Sequence, residues 1–175
     1  MSDAMATRED SLVLRLPSAT QSVSAFHSLL RTTQAAVRAA AQTIPEGAAA
    51  FAVSPSPQLV FEIVEAGPSG LVIEFRFSDP SAGHAPHPVS GPAIAAFMDG
   101  FSSFIKSSPM RTLWGSVPAR PTRVEAAARR PGHEAGPLDE RMEQVMAELE
   151  RLGDVELQFR ETRIQLTRGG VQITP

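Results

Sequence analysis

The sequence predicts a single α+β domain, in which helices cover one face of an antiparallel sheet. Two observations carry this prediction. Several short runs alternate apolar and polar residues, as half-buried strands do. Several longer runs repeat apolar residues every three or four positions, as amphipathic helices do. The length of 175 residues suits one domain with a substantial core.

The chain opens with one strand and one long helix. A first strand is predicted at residues 12–16, where three leucines share one face and Pro17 closes the run. From Ser22 the apolar residues follow the helical period. They predict a helix of about six turns that is stopped by Pro45.

A hairpin and a second helix follow. Residues 59–65 and 71–77 both alternate, and the Gly/Pro-rich segment 66–70 between them predicts a five-residue loop. Residues 78–91 have the composition of a loop. Pro92 is suited to the first turn of the next helix.

The last third of the chain predicts helix and then strand again. Gly100 in the second helix indicates that a neighbour packs closely there. A third helix is predicted from Pro137, with Gly153 at its C-terminal cap. The C-terminal residues alternate as strands, and a turn at Gly169-Gly170 would place Leu166 opposite Ile173.

The predicted order is β-α-β-β-α, then a linker, a third helix and a C-terminal β-hairpin. Its opening matches the ferredoxin-like (split βαβ) topology, in which two helices cover one face of an antiparallel sheet. Residues 111–115 or the C-terminal hairpin would supply the fourth strand. Four segments are expected: a disordered tail at 1–10, an α+β core at 11–116, a Pro/Arg-rich linker at 117–136, and residues 137–175, which complete the same domain or dock a partner.

Composition excludes several kinds of chemistry. The chain has no cysteine, which rules out disulfides, thiolate metal sites and cysteine nucleophiles.

The first ten residues lack the apolar run of a signal peptide, so we expect a cytoplasmic protein. Lys106 is the only lysine, and nearly all basic residues are arginine. This bias towards arginine indicates a GC-rich bacterial genome. No nucleophile-elbow or phosphate-binding glycine motif occurs, so enzymatic activity is the minority hypothesis and no cofactor is expected.

Two clusters could bind a metal or form a polar site. Asp79, His84 and His87 could offer one oxygen and two nitrogens to a divalent metal, although a solvated Pro/Gly loop explains them more simply. The strand residues Glu62, Glu65 and Glu74 could form a carboxylate cluster, whereas the alternative is the solvated face of the sheet. The simpler interpretation is favoured for both.

Nucleic-acid binding would depend on a group of arginines near the linker. These are Arg111, Arg120, Arg123, Arg129 and Arg130. The net charge of −3 and the interspersed Glu125 favour a solvated linker over a basic binding surface.

The third helix carries an apolar stripe at the helical period: Leu138, Met142, Val145, Leu149 and Leu152. It could pack on its own sheet, or dock on a partner or a second copy. The edge of the C-terminal hairpin offers a second route, by strand addition. The favoured hypothesis is a non-enzymatic interaction or accessory subunit of a bacterial intracellular assembly. The alternatives are small-molecule or metal binding at residues 79–87, and nucleic-acid binding through the arginines.

Overall fold

The structure, a computed structural model, describes residues 10–17, 22–107, 137–167 and 170–175. It confirms the α+β class: within the described residues, four helices accompany a seven-stranded antiparallel sheet. In chain order the elements are β1 (Leu12–Leu16), α1 (Val23–Ala41), α2 (Pro45–Ala52), β2 (Gln58–Gly67), β3 (Gly70–Asp79), β4 (Ala85–Pro86), α3 (Ser90–Ser107), α4 (Pro137–Leu152), β5 (Val155–Phe159), β6 (Thr162–Thr167) and β7 (Gly170–Thr174).

The strand order across the sheet is β2-β3-β1-β5-β6-β7. The short β4 pairs with the end of β3, and every pair is antiparallel. Because β3 lies between β1 and β2, the opening has the split βαβ arrangement. The fourth strand of that unit is β5, which pairs with β1. Residues 137–175 therefore contribute strands to the same sheet as the N-terminal half.

The core lies between the sheet and its helices. Alternate residues of β1, β3, β5 and β6 point to the helix side and form one buried cluster with α1, α3 and α4. The largest fully buried side chains include Phe75, Phe77, Phe97 and Phe101. Such burial is the main stabilising term of a domain of this size. No helix in the described part of the chain has both the length and the apolar character needed to cross a membrane.

Helix boundaries differ from the sequence prediction at one place. Pro45 does not end the helical region but is the first residue of α2, a short helix that begins after a three-residue connection from α1. Proline suits that position because its missing N–H would have no helical partner there. The start of α1 agrees with the prediction, since the hydroxyl of Ser22 caps the helix by accepting a hydrogen bond from the N–H of Ala25.

Turns and register differ at two further places. The β2–β3 hairpin is tighter than predicted, with Gly67 opposite Gly70 across a two-residue turn. In the C-terminal hairpin, Ile173 lies opposite Ile164 instead of Leu166. That shift of two residues leaves every side chain on its predicted face, because the side-chain period of a strand is two.

Candidate functional site

The side chains of the predicted metal loop stabilise the loop itself. The Asp79 carboxylate accepts hydrogen bonds from the hydroxyl and the backbone N–H of Ser81, and these bonds lower the pKa of Asp79. Nδ1 of His87 accepts a hydrogen bond from the N–H of Val89 at 3.1 Å. His84 lies in the same loop with a positive φ of 64°. Within the described ranges, no three His, Asp or Glu side chains lie close enough to hold a metal ion.

The arginines of the nucleic-acid hypothesis, Arg111, Arg120, Arg123, Arg129 and Arg130, lie outside the described residues.

The stripe of α4 faces the core. Met142, Val145 and Leu149 are buried, while Leu138 and Leu152 pack against the same core from its border. The stripe thus takes the first of its two expected arrangements, in which the third helix packs on its own sheet. A partner could reach the stripe only if α4 left the core, so an interaction surface has to be sought elsewhere.

The three glutamates lie on the sheet face opposite the helices. Glu62 on β2 is directly opposite Glu74 on β3, an arrangement that is unfavourable for two carboxylates. Arg76 on β3 offsets the repulsion between the two carboxylates, because its Nη1 lies 3.6 Å from Oε2 of Glu62. Nε of Arg76 is buried and has no hydrogen-bond partner among the described atoms. Glu65 lies further along β2, opposite Val72.

The same open face holds a cavity of about 800 Å³. Its floor includes Val13 and Val72, and its wall includes charges of both signs, among them Arg15. At the border of the cavity, Nε of Arg15 lies 3.3 Å from Oε1 of Glu156, and Arg163 approaches the same oxygen at 3.7 Å. Ligand pockets are mostly apolar with a few polar groups. The paired charges here are typical of a solvated sheet face.

An exposed apolar surface lies on β2, the strand whose Val64 and Glu65 also line this cavity. This strand is at the edge of the sheet, where the described residues pair it with β3 and no other strand. Phe61 and Ile63 are each 48% exposed and Val64 is 40% exposed. These three are most of the exposed large hydrophobic side chains in the described part of the chain. The others are Val23 and Val53.

Phe61 and Ile63 belong to the helix-covered side of the sheet. They lie opposite Phe75 and Ile73 of β3, whose side chains are buried. The ring of Phe61 also contacts Phe26 of α1, with centroids 6.2 Å apart. The apolar layer of the core therefore continues to the edge of the sheet and ends there half uncovered.

The backbone of β2 has a definite orientation at this edge. The C=O of Phe77 accepts a hydrogen bond from His87 N–H, and its N–H donates to Oγ of Ser90. Both groups of Phe77 thus point away from β2. Since hydrogen-bonded and non-hydrogen-bonded pairs alternate in antiparallel strands, the residues of β2 opposite Phe77, Phe75 and Ile73 point their backbone groups to the outer edge. These residues are Leu59, Phe61 and Ile63.

The sequence pattern alone does not identify this surface. The alternation of β2 predicts a strand, but periodicity does not show which strand lies at an edge. One signal was present: Ile63-Val64 interrupts the alternation, and the structure has a register shift between Ile63 and Glu65. Such bulges are over-represented at sheet edges.

Comparison of the chain with protein-family models, with curated proteins and with solved structures gives no match.

Proposed function

We propose that this protein is a non-enzymatic interaction subunit, and that it binds its protein partner by strand addition at the outer edge of β2. The observation that carries the proposal is the exposure of Phe61 and Ile63 beside backbone groups of the same strand that have no partner among the described residues. A strand added here would extend the sheet and cover the open end of the apolar layer. Strand addition of this kind takes affinity from backbone hydrogen bonds and specificity from alternate side chains.

Strand addition would be favourable because the edge of β2 leaves apolar side chains exposed. Burying the exposed half of Phe61 and of Ile63 would stabilise a complex by about 1 kcal/mol each. Natural edge strands are commonly protected by lysine, by proline or by a covering segment. On the helix side of β2, the described residues place apolar groups where such protection would be expected.

Charge supports a protein partner over a nucleic acid. The side of β2 that faces away from the helices carries Glu62 and Glu65, and the net charge of the chain is −3. Phosphate backbones bind through lysine and arginine. Glutamates beside the edge would repel them.

The test compares three forms of the full-length protein. Phe61→Lys/Ile63→Lys places charge on the edge, and Gln172→Lys does the same on β7 at the opposite edge as a control. Each form is used to recover partners from extract of the source cells, and each purified form is measured by light scattering after size exclusion. Circular dichroism checks that all three are folded.

We expect association, with another protein or with a second copy, to fall at least about tenfold in the β2 variant and to persist in the control. Association that is equally strong in all three forms contradicts the proposal. So does a wild-type protein that is monomeric and recovers no partner.

A further inference from the structure

We infer that the strand added to β2 is β2 of a second copy, joined antiparallel about a two-fold axis at Phe61. The inference rests on the proposed function, because it names the partner for that same edge. Two-fold dimers are the commonest closed assemblies, and their contact surface has to be complementary to itself. The outer edge of β2 therefore has to be complementary to itself.

The regular part of the edge is short and is bounded on both sides. Pro57 precedes β2 and has no N–H to donate. At the other end, the register shift between Ile63 and Glu65 disrupts the regular ladder. Between these limits, the residues with outward backbone groups are Leu59, Phe61 and Ile63, and they are symmetric about Phe61.

A two-fold axis at Phe61 uses all of these groups. Phe61 pairs with Phe61 of the second copy, and Leu59 pairs with Ile63 in both directions. These are hydrogen-bonded pairs, which would form about six backbone hydrogen bonds. The paired side chains all lie on the helix side, where Phe61 already contacts Phe26 and Phe75.

Neighbouring registers are worse for specific reasons. An axis at Glu62 would put two carboxylates directly opposite each other in a close, non-hydrogen-bonded pair. An axis at Val60 would put Ile63 opposite Pro57, which cannot donate. A change of the strand register by one residue, with the axis between two residues, would pair outward backbone groups with inward ones. It would also place apolar side chains on the wrong face.

The other face of the joined sheet is compatible with the Phe61 register. Val60 and Glu62 of the two copies lie opposite each other there, so no glutamate faces a glutamate across the axis. Glu62 keeps its contact with Arg76 of its own copy, at 3.6 Å. The register thus agrees with the charges as well as with the apolar side chains.

Engineered cysteines test the register directly, because the chain has none of its own. The single variants Val60→Cys and Glu62→Cys are purified, mixed in equal amounts under reducing conditions, and then oxidised mildly. In the Phe61 register the two cysteines are directly opposite with Cα atoms about 4.5 Å apart, within reach of a disulfide. Identical cysteines are about 7–8 Å apart on the diagonal, near or beyond the usual limit.

We expect the mixed sample to form disulfide-linked dimers several times faster than either variant alone, and light scattering to give a dimer for the wild-type protein. Gln172→Cys on the opposite edge is the control and should not cross-link. If Glu62→Cys alone links as fast as the mixture, the Phe61 register is wrong.

The remaining outcomes separate the dimer from the proposed function. A monomeric wild type that recovers another protein through β2 overturns the dimer and leaves the proposed function standing. A monomer whose Phe61 and Ile63 amides resist hydrogen exchange indicates that another part of the same chain covers the edge, and it overturns both. A monomer with fast exchange at these amides and no recovered partner also overturns both.

Discussion

Oγ of Ser90 accepts a hydrogen bond from the backbone N–H of Phe77 at 3.0 Å and is completely enclosed by protein. The same hydroxyl donates to the C=O of Asp10 at 2.8 Å. Continuing the β1–β3 register beyond Leu12 would place Asp10 opposite Phe77. The serine thus bridges two strands at the point where their direct pairing stops.

Replacing this serine should destabilise the fold. Ser90→Ala leaves the N–H of Phe77 buried without its partner, and an unsatisfied buried group costs about 1–3 kcal/mol. Denaturant unfolding followed by circular dichroism measures the loss. Ser24→Ala, at an exposed position of α1, is the control and should change the free energy of unfolding by less than about 0.5 kcal/mol. Equal effects at both positions would contradict the bridging role.

Gly100→Ala should stabilise the protein. A Cβ at position 100 would lie 3.3 Å from Cε of Met142 and 3.7 Å from Cδ2 of Leu138, both ends of flexible side chains. The helix gains up to about 1 kcal/mol from alanine, and methionine can move by the few tenths of an ångström required.

The same substitution at Gly47 should have the opposite sign. A Cβ there would clash with the backbone oxygen of Ala41, which cannot move without distorting the α1–α2 junction. The two alanine variants are compared with the wild type by thermal unfolding, where 1 kcal/mol corresponds to about 2–4 °C. A lower midpoint for Gly100→Ala would show that α3 and α4 are packed too tightly to adjust.

Asp79 should titrate below its ordinary pKa of 3.8, because the hydroxyl and the N–H of Ser81 stabilise its charged form. A carboxyl whose pKa is lowered by folding contributes stability above its unfolded pKa. That contribution is lost as the pH falls through the lowered value. Carbon-detected NMR titration measures the pKa directly. In Ser81→Ala it should move up towards 3.8, and an unchanged value would refute the assigned cause.

Proline substitutions test the backbone orientation of β2. The N–H of Ile63 points outward, so Ile63→Pro should leave the monomer folded but weaken any association at the edge. The N–H of Glu62 points to β3, so Glu62→Pro removes a ladder hydrogen bond and should lower the melting temperature markedly. Thermal unfolding and light scattering read the two effects separately. If Ile63→Pro is the more destabilising, the assigned orientation is reversed.

Elements with a long, uninterrupted period could be predicted from the sequence. The three leucines of β1, the alternation of β3 and the stripe of α4 each lie in the predicted element. The close packing expected at Gly100 is also present, against Met142. In these segments the local pattern and the buried face agree, which is the condition under which sequence patterns are informative.

The other features of the fold and of the site depend on tertiary packing and strand order, which a local sequence pattern does not contain. Pro45 suits both the end of one helix and the start of the next, and only the packing of α2 decides between them. The β6–β7 register was ambiguous, because Ile164 and Leu166 are both apolar partners for Ile173. The exposure of Phe61 follows from the position of β2 in the sheet order, which periodicity cannot reveal.

The pairing of β1 with β5 has a consequence for how the protein folds. Val13 lies opposite Gln158, so a strand near the beginning of the chain is completed by one more than about 140 residues later. Contacts of such high sequence separation are slow to form, because the loop between them has to close first. A ribosome-bound chain that ended before α4 would leave one side of β1 without its neighbour and the core open. We therefore expect folding to be completed only once β5 is available to pair with β1, and the preceding stage to be the one at which the protein most needs a chaperone.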